Sequence, residues 1–189
     1  MWGIQGYEPE PLTMANDIFA SHGAGFAALI GRRLDRASAL TFVSDGSWCS
    51  TGPLVLHFEG SRQLEVLAEG FATLYLSWNT IDLNATLEQD DDPDLALAWA
   101  DLDAPELRPA LGTALDDVWI LERQFRVPQP DGQIIEAWLL AGLEFAFERG
   151  GRTIQLGIGL DELVLVAESE IPEEQASEDW RRRHAYARS

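Results

Sequence analysis

The sequence predicts an α+β fold made mainly of antiparallel strands, with an internal duplication of a helix-plus-four-strand unit and a C-terminal helix. Three observations lead to this prediction. Short runs alternate apolar and polar side chains, as at residues 54–59. Similar runs recur in the same order in both halves of the chain. The C-terminal segment places acidic residues before basic ones, which suits the dipole of a helix.

The first half is predicted to hold one helix and four strands. Residues 17–31 carry apolar side chains at helical spacing, with Asp17 as the N-cap and Gly31 as the stop signal. Strand-like runs then follow at residues 39–44, 53–59, 64–67 and 73–78. The preceding residues 1–13 contain two prolines and two glycines, so we expect a poorly ordered lead-in, with Met14 as an alternative start to Met1.

The second half begins after a break in the strand pattern. Residues 84–109 are charged and rich in proline, which predicts a linker with one helical turn at residues 95–99. Strand-like runs resume at residues 118–123, 134–147, 153–156 and 162–167. In residues 169–189, Pro172 and the acids come first and the arginines come last, which predicts the C-terminal helix.

The two halves resemble each other in pattern. Residues 29–35 match residues 110–116, and the alternating run at 54–59 matches the run at 143–148. We therefore predict repeat one at residues 14–83 and repeat two at residues 110–168. A four-stranded unit with one apolar face cannot bury that face alone, so we expect both repeats to share a core within a single domain.

Charge limits the class of partner. The chain has 32 acidic and 13 basic residues, all of the latter arginine, which gives a net charge of -19 and a pI near 4.3. Such a surface repels phosphate groups, so we expect no nucleic-acid partner and no anionic membrane partner. The single cysteine, Cys49, cannot form an intramolecular disulfide, which favours a cytoplasmic location.

Catalytic and cofactor motifs are missing from the sequence. The three histidines lack metal-ligand spacing, and no glycine-rich phosphate loop occurs, so we predict no catalytic residue, cofactor or metal. Cys49 and His57 lie near each other in sequence. Because His57 alternates with apolar Leu56 and Phe58, we expect it on the solvated face of a strand, which argues against a catalytic pair.

Two sets of residues are candidates for binding. Tryptophans in polar loops and a run of acids can anchor a partner protein; the candidates are Trp48, Asp90, Asp91, Asp92, Asp94 and Trp99. Arginines near a cleft between the repeats can clamp an anionic ligand; the candidates are Arg32, Arg33, Arg123 and Arg126.

Three segments carry a resemblance to known proteins. Residues 29–34, 52–56 and 76–82 resemble small acidic proteins from high-GC bacteria, a group without an assigned function. Acidic α+β proteins of this size include immunity partners of polymorphic toxins. By analogy with those proteins, the resemblance implies a role as an immunity protein.

The leading functional hypothesis is a non-enzymatic acidic protein, such as an immunity protein or inhibitor, that neutralises a basic partner protein. The first alternative is a small-molecule-binding protein or enzyme with an arginine-lined cleft between the repeats. The second is a structural subunit, for example of a homodimer.

Overall fold

The structure is a computed structural model that describes residues 3–87, 92, 95–129, 131–148, 152–167 and 180–187. Within these ranges the chain forms one helix and eleven strands, and the predicted predominance of antiparallel strands is confirmed. The elements in chain order are β1 (Pro11–Leu12), α1 (Ala15–Leu29), β2 (Leu34–Phe42), β3 (Leu54–Phe58), β4 (Arg62–Glu69), β5 (Thr73–Trp78), β6 (Leu97–Asp101), β7 (Leu115–Pro128), β8 (Ile134–Phe147), β9 (Arg152–Ile158), β10 (Leu163–Ala167) and β11 (Trp180–His184).

The strands build two sheets. The first has the order β1-β5-β4-β3-β2-β6 and the second the order β10-β9-β8-β7-β11. Each sheet contains a meander of four consecutive strands, β2 to β5 in the first and β7 to β10 in the second. Gly60 and Ser61 join β3 to β4 with positive φ angles, 81° and 59°, which suit a tight hairpin turn.

Both sheets and the helix bury one shared core, here called the main core. Alternate side chains of β3 and β8 point into it, and so does one face of α1. Burying a large apolar side chain of this kind contributes about 2 kcal/mol. The members that show this alternation are Leu54, Leu56 and Phe58 in β3, Leu143, Phe145 and Phe147 in β8, and Ile18, Phe26 and Leu29 in α1.

The outer face of the first sheet, the face turned away from the main core, carries a second core. Tyr7 is completely buried there together with Val55 and Leu67. Ile4, Tyr7 and Leu12 are thus buried, contrary to the expected poorly ordered lead-in, and Pro11–Leu12 pair with β5. The helix starts earlier than predicted, because Met14 is its N-cap and Asp17 lies in its first turn.

The sheets meet where β2 and β7 begin. The Gly31 N–H donates to the Leu115 carbonyl at 2.7 Å, and the Gly112 N–H donates to the Leu34 carbonyl at 2.7 Å. Both glycines have positive φ, 81° and 75°. Each glycine thus donates its N–H to the first residue of the strand that follows the other glycine, so the two halves make the same hydrogen bond to each other.

The helix itself is found once among the described residues. Residues 105–110 form a series of turns where the duplication places a second helix, and Leu107 and Ala110 fill the main core there. Pro105 and Pro109 interrupt helical hydrogen bonding in this stretch. The predicted helix-plus-four-strand unit is consequently not present twice in the part of the chain that the structure describes.

Two further predictions are wrong over the residues that the structure describes. Residues 97–99 form part of β6 and pair with β2, so the predicted linker contains a strand instead of a helical turn. Trp180–His184 form β11 beside β7, so no helix exists over these residues. Residues 168–179 lie outside the described ranges. No helix among the described residues is long and apolar enough to cross a bilayer.

Candidate functional site

A polar cavity of about 510 Å³ opens on the outer face of the first sheet. Its floor comes from β2 and β4, one wall from the loop at residues 81–84, and the other wall from β6. The described residues that line it are Arg36, Ser38, Gln63, Ile81, Asp82, Leu83, Asn84, Trp99, Ala100 and Asp101.

A buried carboxylate fixes the loop wall. Glu65 is fully buried in β4 and accepts hydrogen bonds from the Ser77 hydroxyl at 2.6 Å and from the Thr80 N–H at 2.9 Å. The Thr80 hydroxyl donates to the same carboxylate at 3.1 Å. These bonds hold the chain that leaves β5 against the sheet, so the cavity has a preformed wall.

A cluster of three polar side chains forms the floor beside β6. Arg36 Nη1 donates to Asp101 Oδ1 at 2.6 Å and to Ser38 Oγ at 2.8 Å. The Ser38 hydroxyl in turn donates to Asp101 Oδ1 at 3.2 Å. The hydrogen bond from Arg36 lowers the pKa of Asp101, so the carboxylate is ionised and balances the charge of the guanidinium.

His57 lies behind this cluster. It is 9% exposed, so the expectation of a solvated histidine is wrong. Burial, aided by the charge of Arg36, lowers the pKa of His57 to about 4, which leaves the ring neutral at pH 7. Its Nε2 lies 3.0 Å from Ser38 Oγ, within hydrogen-bond distance.

The charges that line the cavity favour a cation. Asp82 and Asp101 contribute two carboxylates against the single guanidinium of Arg36, in a chain of net charge -19. Trp99 adds an indole ring, whose π face attracts cations. The buried Nε1–H of Trp99 finds no acceptor among the described residues.

The predicted partner-binding residues are separated in the structure. Trp99 lines the polar cavity, whereas Trp48 is partly buried against the main core. Asp92 is exposed. Three predicted acids, Asp90, Asp91 and Asp94, lie outside the described residues.

Sequence reasoning missed Arg36, Asp82 and Asp101. Asp101 follows Trp99 by two positions and therefore shares its face of β6. Recognising residues 97–101 as a strand would have placed these two side chains together.

The arginines proposed as an anion clamp do not converge. Arg32 donates to the Glu59 carbonyl at 2.9 Å, and Arg33 forms a backbone bridge with Ala114 at the junction of the sheets. Arg123 lies 5.9 Å from the Trp180 ring centroid on the second sheet. Arg126 pairs with Glu136 at 3.2 Å, also on the second sheet.

The second sheet carries a different cavity on its own outer face. This apolar cavity of about 690 Å³ is lined mainly by aliphatic and aromatic side chains, among them Phe71, Leu121, Phe125, Leu139, Val164 and Trp180. It offers few polar groups to orient a ligand. Cys49 is buried and lies elsewhere, 3.4 Å from the Thr51 hydroxyl. The described residues contain no group of three metal-ligating side chains.

Comparisons with known proteins add no identification. The chain matches no protein-family profile, no curated protein and no solved structure. The polar cavity and the charge of the surface are therefore the observations from which a function is inferred.

Proposed function

We propose that the chain is a non-enzymatic binding protein whose acidic surface takes a basic partner protein, as an immunity protein or inhibitor does. The observation that supports this proposal is the imbalance of charge at the surface. Nearly half of the chain's arginines already lie within ion-pair distance of its own carboxylates; they are Arg36, Arg108, Arg126, Arg181, Arg182 and Arg183.

Many exposed carboxylates are left without such a partner. The following exposed residues form no ion pair with a described arginine: Glu8, Glu10, Asp17, Asp35, Asp45, Asp131, Glu148 and Asp161. Uncompensated charge of one sign speeds the encounter with a partner of opposite sign and slows it with phosphates and acidic proteins.

The test is competitive capture followed by reconstitution. The chain is immobilised, a lysate of the source organism is applied in about 0.15 M salt, and retained proteins are displaced with soluble chain. We expect a strongly basic protein to be displaced, and the purified protein to bind with an association rate that falls steeply as salt rises. If every displaced protein is neutral or acidic, or if the association rate ignores salt, the proposal is wrong.

We also propose that the two meanders, β2 to β5 and β7 to β10, derive from one duplicated four-stranded unit. Besides the matching glycines, the Glu59 N–H donates to the Arg33 carbonyl at 2.9 Å, and the Glu148 N–H donates to the Ala114 carbonyl at 3.0 Å. The strands β2 and β7 each carry an irregularity just after their first paired residue. Matched substitutions at the two glycines, described below, test this relation.

A further inference from the structure

We propose that the polar cavity, where Trp99 lies with Asp82 and Asp101, is the anchor site for an arginine side chain of the basic partner. This inference rests on the proposed function and names the group that the partner inserts. It follows from the hydrogen-bonding capacity of the lining, from its charge and from the kinds of surface it offers.

Several donors in the lining bond to acceptors within the protein. Arg36 Nη1 and the Ser38 hydroxyl both donate to Asp101 Oδ1. The Gln63 amide donates to the Ile81 carbonyl at 3.4 Å, and the Asn84 amide donates to Asp82 Oδ1 at 3.2 Å. Hydrogen bonds within the protein therefore occupy part of the donor capacity of the lining.

Acceptors in the same lining remain available. The second oxygens of Asp82 and Asp101 receive no hydrogen bond from the described residues, and neither do the amide oxygens of Gln63 and Asn84. A site rich in acceptors fits a ligand rich in donors. The guanidinium group has five N–H donors and no acceptor.

Charge points to the same ligand. Arg36 and Asp101 form an ion pair at 2.6 Å, which leaves the carboxylate of Asp82 uncompensated within the lining. An anion would face both carboxylates and would compete with Asp101 for Arg36. A cation is attracted by Asp82 and by the field of the whole chain.

The surfaces of the cavity favour arginine over lysine. A planar guanidinium stacks on an indole and bonds a carboxylate through two parallel N–H groups, whereas an ammonium is a compact point charge. Trp99 provides the indole and Asp82 the carboxylate, and the volume of about 510 Å³ admits a whole side chain.

The direct test uses N-acetyl-arginine amide as the probe. The indole N–H resonances of the seven tryptophans are followed by NMR, and the Trp99 signal is assigned by its loss in Trp99→Phe. This variant gives up no hydrogen bond to a described residue, since the indole N–H has no acceptor among them. We expect a saturable shift of the Trp99 signal with a Kd of about 1 mM.

N-acetyl-citrulline amide, which has the same shape and no charge, is expected to bind at least about tenfold more weakly. Equal binding of the neutral probe, or no saturable shift with the cationic one, would overturn the anchor site. N-acetyl-lysine amide is expected to fall between the two probes, and tighter binding of lysine than of arginine would contradict the stacked arrangement.

Asp82→Asn is the decisive variant, and the chain offers matched controls. Asp45, Asp82 and Asp131 are all exposed, and each accepts a hydrogen bond from the N–H two residues ahead, at 2.8, 2.9 and 3.0 Å. Each change to asparagine removes one charge from the same kind of turn. We expect Asp82→Asn to weaken binding of the arginine probe at least about fivefold. We expect Asp45→Asn and Asp131→Asn to leave the Kd of the probe unchanged. An equal loss in all three variants would show attraction by overall charge alone and would overturn the site.

The same variants separate this inference from the proposed function. If the immobilised Asp82→Asn and Trp99→Phe chains retain the basic partner as the unaltered chain does, the anchor site is wrong and the acidic binding protein stands. If the arginine probe binds at Trp99 but no basic protein is displaced, the proposal of a basic partner protein is wrong. The proposal that the cavity anchors an arginine of that partner is then wrong as well.

Discussion

The two sheets share a meander and a junction, and they differ in what has been added to their outer faces. The first sheet is covered by the N-terminal segment and by residues 79–87, which bury a second core and leave a polar cavity at β6. Among the described residues the second sheet gains only β11, and its outer face carries an apolar cavity and arginines stacked on indoles, such as Arg182, 4.9 Å from the Trp119 ring. Two similar meanders thus carry different outer faces, one with a polar cavity and one with an apolar cavity. The function is therefore to be sought in the segments added to the meanders.

Buried acids show the same contrast. Glu65 in the first sheet is held by neutral donors, the hydroxyls of Ser77 and Thr80 and a backbone N–H. Glu122 in the second sheet is held by two arginines of β11, with Arg181 Nε at 2.6 Å and Arg183 Nε at 2.7 Å. The first acid positions a loop, and the second fastens a strand.

The largest effect is expected at Gly142, in the irregular part of β8. A Cβ added there would lie 2.1 Å from the Leu156 carbonyl oxygen, and its φ of +147° is strained for any other residue. Because the obstacle is backbone, we expect Gly142→Ala to lower the free energy of unfolding by about 3 kcal/mol or more. Urea denaturation measures this loss.

Gly157 is the control, since it pairs with Gly142 across the strands. A Cβ at Gly157 meets its nearest atom, the Val164 carbonyl oxygen, at 3.7 Å. We expect Gly157→Ala to change the free energy of unfolding by less than about 0.5 kcal/mol. A similar loss in both variants would mean that a general need for flexibility, and not the close approach at Gly142, explains the glycines.

The second effect concerns how β11 is attached. Glu122→Gln removes the charge that both arginines share and is expected to cost about 2 kcal/mol. Glu65→Gln keeps the shape and weakens hydrogen bonds that come only from neutral donors, at a cost of about 1 kcal/mol. Hydrogen exchange separates the two, because the first variant should expose the amides of residues 180–184 and the second those of residues 79–81. Faster exchange of β11 in Glu65→Gln would contradict the contrast.

The local sequence pattern predicts strands of the two meanders, but it fails for the added strands β6 and β11. The strand at Thr73–Trp78 has the predicted bounds, because alternation reports directly which face is buried. In contrast, β6 and β11 pair with strands far away in sequence, β2 and β7. Each of these strands has only five residues, and the charged residues in or beside it suggested a helix or a linker.

The candidate site was predictable for one residue. Trp99 stands out as an aromatic residue in a polar stretch, whereas Asp82 and Asp101 are two among 32 acids. Only the packing of the loop at residues 81–84 beside β6 brings these carboxylates together. Such a long-range arrangement leaves no local signal in the sequence.

The third effect is a pH dependence that belongs to the first sheet. The folded-state pKa of His57, about 4, lies below its ordinary value of about 6.5, so the unfolded chain takes up a proton first as the pH falls. The contribution of His57 is therefore complete above pH about 6.5 and is lost between that pH and about 4.

We expect this loss to amount to about 1–3 kcal/mol, measured by urea denaturation across the window. The control is His57→Gln, in which this part of the slope disappears. Burial also lowers the pKa of His22, so a slope of the same sign remains in the variant. An unchanged slope in His57→Gln would show that His57 is not the group that titrates.

The smallest effect tests the shared junction. Gly31 and Gly112 have φ angles of 81° and 75°, and a Cβ at either position meets no atom within 4 Å. The cost of Gly31→Ala and of Gly112→Ala is therefore the backbone strain alone, about 1 kcal/mol each. Two copies of one unit should lose the same amount, within about 0.3 kcal/mol, and the double variant should lose about twice as much unless the facing hydrogen bonds couple the sites. Unequal single losses in urea denaturation would show that one half relies on the junction more than the other, which contradicts the relation proposed for the two meanders.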